Sequence, residues 1–290
     1  MINKLTISIH LLFFLLSWQV RAQITMPRIS PGSNIQQAIG LTEFEVDYSR
    51  PAKRGRILVN GLIPNGRIWR VGANESTKFK VSHDILVNGN LLKAGVYALY
   101  AFPDKENWEI VFHSDTSHWG DGRDAYDPSK DALRVASNIY YEHDEVENFR
   151  IDFQNLDHNS GTMVWAWGTF RICVEFTVFT DDYVMKDIEK QVFNNPNALT
   201  FYQAARYFQE QEKESELALE YLDKAESIEG ATYYIYRVRA LILAKIEHYE
   251  KAIESAQTSK ELAHREGKDE FVRLNEGYIQ EWKKQLNIER

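Results

Sequence analysis

A segment without a single acidic residue, residues 48–74, most constrains what this chain can fold into. It reads YSRPAKRGRILVNGLIPNGRIWRVGAN, in a chain of 290 residues with a formal net charge of −8. Its basic residues are Arg50, Lys53, Arg54, Arg56, Arg67 and Arg70. Because its glycines and prolines break long helices and strands, the positive charge sits on a tightly turned backbone. Such a segment is either a surface that recognises anions or the scaffold of an unusual fold.

The N-terminus has the pattern of a secretory signal. Lys4 precedes an apolar run over residues 11–16, and short side chains before Gln23 provide a cleavage site. The run is too short and wrongly flanked for a membrane-spanning helix. The sequence therefore predicts a signal peptide over 1–22 and a periplasmic or secreted mature protein, with no membrane insertion after the signal is removed.

The composition excludes several classes of protein and of binding partner. With 44% hydrophobic and 26% charged residues, the chain is globular rather than disordered. The acidic balance argues against nucleic acid as a partner. Cys173 is the only cysteine, so no intramolecular disulfide exists and stability must come from burial of a core. Cys173 itself is most simply a small buried side chain.

Residues from about 40 to 180 alternate between apolar and polar with period two. Phe44, Val46 and Tyr48 share one face of a first strand. Asn88-Gly89, between two apolar runs, is typical of a tight hairpin turn. No strand–helix–strand alternation is present, which disfavours a Rossmann-type or barrel enzyme. The pattern predicts an all-β sandwich or jelly-roll-like domain over residues 23–181.

From Asp182 the periodicity becomes helical and repeats at an offset of 34 residues. Ala218 recurs as Ala252, and Phe208 recurs as Ile242. This period is typical of tetratricopeptide repeats, in which small residues let paired helices approach closely. We predict an all-α tetratricopeptide-like domain over residues 182–290 that docks a protein partner. An unrelated helical bundle is the alternative.

The arginine segment supplies the first candidate site. A guanidinium group is a planar fork of donors that fits carboxylate, sulfate or phosphate. The predicted ligand-binding residues are Arg50, Arg56, Trp69, Arg70 and Asn74, with Trp69 as a stacking face for a sugar ring. In the alternative interpretation, the arginines pair with internal acids and Trp69 belongs to the core.

A loop over residues 113–124 supplies the second candidate. His113, His118 and Asp121 have the side chains of an acid–base or metal site. Their spacing matches no zinc or calcium motif, and a polar loop after a strand explains them equally well. We therefore predict no metal and no cofactor, and we keep these three residues as the catalytic alternative.

Several short motifs together resemble one family. They are YSRP at 48–51, LIPNG at 62–66, WRVGAN at 69–74, LKAGVY at 92–97, Trp119-Gly120 and Leu133-Arg134-Val135. In this combination the chain resembles the family called domain of unknown function 2911, over about residues 27–180. Members are mostly exported proteins of Bacteroidetes-type bacteria, some with helical repeat tails. The resemblance implies an envelope location in a Gram-negative cell, but no activity and no catalytic residue.

These observations predict a non-enzymatic, exported binding module. Its β-domain binds an anionic or carbohydrate ligand, and its helical tail docks a protein. The alternative is a hydrolase of cell-envelope or polysaccharide substrates that uses the histidine–aspartate loop. A third interpretation makes the β-domain a spacer in an envelope assembly.

Overall fold

The computed structural model describes residues 26–105, 107–120 and 124–288. The predicted signal peptide over 1–22 and the candidate residue Asp121 lie outside these residues. The chain divides into two compact units, of which the first ends at Thr180 and the second begins at Asp181.

The first unit is an antiparallel β structure, which confirms the predicted all-β domain. Its nine strands are β1 (Gly32–Ile39), β2 (Thr42–Ser49), β3 (Thr77–Val81), β4 (Ile85–Val87), β5 (Asn90–Leu92), β6 (Gly95–Asp104), β7 (Asn107–His113), β8 (Asp131–Gln154) and β9 (Ser160–Val178). They are hydrogen-bonded in the order β1-β2-β3-β6-β7-β8-β9-β4-β5.

The long strand β8 folds this sheet into a sandwich. Up to Asn138, β8 pairs with β7, and from Ile139 onward it pairs with β9. The two layers therefore face each other across one apolar core. Phe44 of β2 illustrates the contact, because its ring centroid lies 5.7 Å from that of Phe153 in β8 and 5.1 Å from that of Phe176 in β9.

Local sequence explains the individual strands. Phe44, Val46 and Tyr48 are buried on one face of β2, as their period-two spacing predicts. Asn88 and Gly89 have φ angles of 45° and 78° in the turn between β4 and β5. A two-residue hairpin turn of type I′ requires a positive φ angle at both residues. Asn-Gly tolerates these angles, which explains why this dipeptide joins the two strands.

The arginine segment spans the two layers at one end of the sandwich. Trp69 and Ala101 of β6 exchange two backbone hydrogen bonds of 2.8 Å. On the other layer, Lys53 donates its backbone N–H to Glu147 at 2.8 Å, and Phe149 donates to Pro51 at 2.9 Å. The register of β8 against β9 shifts on both sides of Val146, in the region where β8 pairs with the segment instead.

The second unit is all-α, as predicted. The helices are α1 (Thr180–Asn194), α2 (Ala198–Glu210), α3 (Ser215–Glu229), α4 (Tyr233–Lys245), α5 (Tyr249–Arg265) and α6 (Asp269–Ile288). Asn197 caps α2 by accepting from Thr200 N–H at 3.0 Å, and Thr232 caps α4 by accepting from Ile235 N–H at 3.3 Å. Within the described part of the chain, no helix is long and apolar enough to cross a membrane.

The helices form hairpins that recur along the chain. Helix α2 packs on α3, and α4 packs on α5. Equivalent helices begin at Ala198 and Tyr233, and at Ser215 and Tyr249, so the hairpin repeats after 34 or 35 residues. Ala218 and Ala252, in equivalent positions, are both fully buried. Small side chains at these positions allow the helices to approach closely.

Tyr48 joins the two layers through a polar contact inside the core. Its hydroxyl accepts a hydrogen bond from Ile151 N–H at 3.1 Å and lies 3.4 Å from Ile151 O. We expect Tyr48→Phe to lower the free energy of unfolding of the β unit by about 1–3 kcal/mol, because a buried N–H loses its acceptor. Urea unfolding followed by tryptophan fluorescence measures this change. The signal comes mainly from the β unit, because Trp282 is the one tryptophan of the helical sequence. Tyr140→Phe, at an exposed ring of β8, is the control; equal effects of the two changes would contradict the assignment.

Candidate functional site

An open cleft of about 510 Å³ lies beside the arginine segment in the β unit. Arg54, Arg56, Arg67 and Arg70 line it together with Ile29, Ser30, Pro51, Ala52, Gly61, Leu62, Pro64, Ile68, Trp69, Gly72, Ala73 and Trp167. Four arginine residues therefore line one concave surface, and no acidic residue lines it.

Tight turns place these side chains along the cleft. Arg54 and Gly55 have φ angles of 52° and 67°, and Arg56 N–H donates to Lys53 O at 3.1 Å to close the turn. A second loop is closed by Leu62 N–H, which donates to Ile57 O at 3.0 Å. Gly61 is required there, because a Cβ atom at this position would lie 2.2 Å from Ile57 O.

The side chains of the four arginines differ in the hydrogen bonds that they make within the protein. Arg56 donates from Nε to Lys53 O at 2.9 Å and from Nη2 to Ala52 O at 2.6 Å, so part of its guanidinium braces the turn. Nε of Arg70 is buried and has no hydrogen-bond partner among the described residues. In the same part of the chain, the side chains of Arg54 and Arg67 make no hydrogen bond or ion pair. Most of the donor capacity of the cleft therefore remains open to a ligand.

Nearby carboxylates do not neutralise the cleft. Glu147 Oε1 accepts from the backbone N–H of Arg54 at 2.7 Å rather than from its guanidinium. Glu145 pairs with Lys53. Among the described residues, none of the four cleft arginines forms an ion pair. The cleft consequently carries positive charge within a protein of formal net charge −8.

Trp69, a predicted stacking face, is mostly part of the core. It is 7% exposed. Its ring contacts four aromatic rings edge-on or stacked, with centroids 5.4–6.3 Å away, namely Trp108, Phe149, Trp165 and Trp167. Trp69 also lines the floor of the cleft, but its faces are covered by these neighbours and leave little room for a sugar ring.

Arg50 and Asn74 hold the segment in place and do not line the cleft. Arg50 Nε donates to Phe149 O of β8 at 3.0 Å. Asn74 Nδ2 donates to Ser30 O at 3.2 Å and to Ser49 Oγ at 3.0 Å. The structure thus brings Arg56, Trp69 and Arg70 together in the cleft, whereas the other two predicted residues do not line it.

The second candidate site is a polar cluster built on Asp131. His113 Nδ1 lies 2.9 Å from Asp131 Oδ1, and Tyr126 O–H lies 2.8 Å and 2.7 Å from the two carboxylate oxygens. Arg134 Nη2 donates to Asp131 Oδ2 at 2.7 Å. Burial, together with the hydrogen bond to Asp131, raises the pKa of Tyr126 well above its usual range.

His118 approaches the same cluster without joining Asp131. Its ring centroid lies 5.6 Å from that of His113, and its Nδ1 lies 3.3 Å from the Tyr100 hydroxyl. Its Nε2 lies 3.5 Å from Asp115 Oδ2. The ammonium of Lys130 donates to Asp115, and this hydrogen bond holds the pKa of Asp115 well below its usual range.

The cluster is closed to solvent at its centre. His113 is fully buried, and its Nε2 has no hydrogen-bond partner among the described residues. In the ranges 26–105, 107–120 and 124–288, no group of three or more histidine, cysteine or acidic side chains is arranged to hold a metal ion. The geometry of these residues is that of a brace which ties β7 to β8 and to Tyr126.

A family model described as protein of unknown function (DUF2911) matches residues 30–176. The chain belongs to the DUF2911 family. The match covers more than half of the chain and confirms the resemblance carried by the sequence motifs. No curated protein matches the chain, and no solved structure matches it either.

The DUF2911 region contains both candidate sites, whereas helices α1–α6 lie beyond it. Two cleft residues of this region, Arg54 and Arg67, were missing from the predicted site. Both belong to the acid-free segment, so the absence of acidic residues over 48–74 was the sequence feature from which they could have been predicted. Spacing alone does not show which way each turn directs its side chain.

Asp131 is expected to stabilise the DUF2911 domain through its buried carboxylate. In Asp131→Asn, three donors face an amide with a single acceptor oxygen, so the free energy of unfolding should fall by about 2 kcal/mol. Urea unfolding followed by tryptophan fluorescence measures the change. Asp124→Asn, at an exposed carboxylate, is the matched control and should change little; a similar effect of both variants would contradict the brace.

Proposed function

We propose that this DUF2911 member is an exported binding module whose β unit captures an anionic ligand in the arginine cleft. One observation carries the proposal: four arginines line a single open cleft, and no acidic residue lines it. Uncompensated like charges repel each other and cost stability unless an anion binds. Export to the periplasm or beyond rests on the signal-like N-terminus.

The chemistry of the cleft favours an anion over a neutral sugar. Arg67 and Arg54 offer unoccupied guanidinium forks, which match the paired oxygens of carboxylate, sulfate and phosphate. Trp69, in contrast, has its faces covered by other aromatic rings. A carbohydrate ligand is therefore expected to bind through acidic substituents.

For the helical unit, we propose tetratricopeptide-like hairpins that dock a protein partner. The repeat of 34 or 35 residues and the buried Ala218 and Ala252 support the repeat class. A cleft of about 440 Å³ supports the docking role, and its aromatic lining comprises Tyr202, Tyr233, Tyr234 and Phe271. Arg237 also lines this cleft, 5.7 Å from the centroid of Phe271, and pairs with no carboxylate in the described chain.

The hydrolase alternative stays a prediction with its own test. It requires turnover of a glycan or ester substrate that is lost in His118→Ala. The closed centre of the cluster around His113 gives a substrate little access, so the binding module is the function that the geometry supports best.

Arg67→Ala is the cleanest test of the arginine cleft, because the Arg67 side chain braces no other described residue. Loss of one charge-assisted hydrogen bond should weaken binding of an anion by about tenfold or more, while the stability of the free protein should not fall, because one repelling charge is removed. Isothermal titration calorimetry with inorganic phosphate, inorganic sulfate, uronic acids and sulfated oligosaccharides measures the affinity. Arg70→Ala should have the same effect on binding.

Arg150→Ala is the matched control for this experiment. Arg150 is an exposed arginine of β8 that does not line the cleft. Equal loss of affinity in Arg150→Ala would mean that general surface charge, and not the cleft, attracts the anion. No binding of any anion by the unaltered mature protein would overturn the proposed function.

For the helical cleft, we expect peptides selected on the mature protein from a random display library to carry an acidic residue beside an aromatic or branched one. The guanidinium of Arg237 would pair with the carboxylate while the tyrosine rings cover the apolar side chain. Arg237→Ala should remove binding of these peptides, and Arg273→Ala, at an exposed arginine of α6, should retain it. Selected peptides without acidic residues would contradict this assignment.

A further inference from the structure

Exposed aliphatic side chains lie in and next to the arginine cleft. Ile29 is 77% exposed and Leu62 is 39% exposed, and both line the cleft. Ile57 is 74% exposed and is joined to Leu62 by the hydrogen bond from Leu62 N–H to Ile57 O. Large apolar side chains in this number around one charged cleft indicate a surface that contacts another apolar phase.

An exposed tryptophan lies at the Arg70 side of the same cleft. Trp119 is 68% exposed. Its backbone forms a β-bridge with Glu75, and the next residue, Gly120, donates its N–H to Asn74 O at 3.2 Å. A Cβ atom at Gly120 would lie 3.6 Å from Nη1 of Arg70. The backbone that carries Trp119 is therefore fixed beside Arg70.

A small soluble anion does not account for this arrangement. Guanidinium groups bind phosphate or sulfate through hydrogen bonds and charge, and branched aliphatic side chains add nothing to such a contact. The combination of arginines, exposed aliphatic side chains and tryptophan is instead typical of surfaces that lie in the interface of a membrane. Tryptophan prefers the level of the lipid headgroups, and arginine attracts anionic lipids.

We propose that the arginine cleft and its rim dock on an anionic lipid surface. Arg67 and Arg70 bind lipid phosphate groups, Ile57 and Leu62 enter the boundary between headgroups and acyl chains, and Trp119 lies among the headgroups. The inference rests on the proposed function, because the lipid phosphate is the anion of the arginine cleft. Since the chain as a whole is acidic, with a formal net charge of −8, this basic face is the one that an anionic membrane attracts.

Co-sedimentation of the mature protein with lipid vesicles tests the proposal. One set of vesicles is phosphatidylcholine alone, and in the other about a third of the lipid is phosphatidylglycerol, whose charge attracts arginine. We expect binding to the second set only. Arg67→Ala should weaken the partition about fivefold, the effect of one basic residue near an anionic surface.

The aliphatic rim is tested separately from the charge. Ile57→Ser should weaken vesicle binding by about fivefold, because the apolar contact is lost, and should leave the affinity for inorganic phosphate unchanged, since Ile57 does not line the cleft. Leu91→Ser is the matched control, since Leu91 is 50% exposed in β5 and does not line the cleft.

The outcomes separate this inference from the proposed function. Binding of inorganic phosphate or sulfate without any binding to vesicles would overturn the lipid surface and leave the anion site intact. Equal weakening of sulfated oligosaccharide binding by Ile57→Ser would assign the rim to a glycan instead. An absence of binding to every anion and to both vesicle sets would overturn both proposals.

Discussion

The structure of the β unit depends on the backbone pairing of the arginine segment with both layers of the sandwich. Trp69 pairs with Ala101 on one layer, and Lys53 pairs with Glu147 on the other. Because the hydrogen bonds fix the segment at both ends, Trp69 is directed into the aromatic core. The arginines that flank it have no place in that apolar core, so Arg67 is exposed and Arg70 is half-buried beside the cleft. Burial of one aromatic ring and exposure of the basic side chains are thus two results of the same constraint.

The same pairing explains why the positive charge remains uncompensated. The carboxylates that approach the segment are already engaged, with Glu147 accepting from the backbone of Arg54 and Glu145 pairing with Lys53. Asp131, which holds three donors, lies in the separate brace between β7 and β8. The fold therefore supports the shape of the arginine segment through main-chain contacts and through the side chains of Arg50 and Arg56. It leaves the guanidinium groups of Arg54 and Arg67 available. Such a division of roles would keep the proposed binding surface rigid before a ligand arrives.

Local patterns predicted the elements of this fold better than they predicted its site. Alternation identified the buried face of β2, and Asn88-Gly89 identified the hairpin, because both signals depend on neighbouring residues. The composition of residues 48–74 identified the segment that lines the arginine cleft but not the direction of each side chain. Arg50 and Asn74 brace the segment while Arg54 and Arg67 line the cleft, and this difference arises from turn conformations and from contacts with β8 that are distant in sequence. The course of β8 through both layers was likewise not predictable from local periodicity.

The position of β4 in the sheet has a consequence for the order of folding. The hairpin of β4 and β5 is complete early in the chain, yet β4 pairs with β9, the last strand of the domain, through the register from Ile85 opposite Val178 to Val87 opposite Phe176. During synthesis, β4 cannot pair with β9 until almost the whole β domain has been made. Pairing between such distant segments is slow, and the unpaired edges that persist meanwhile are prone to aggregate. A chain that crosses a membrane before it folds would delay this last step until β9 has also arrived.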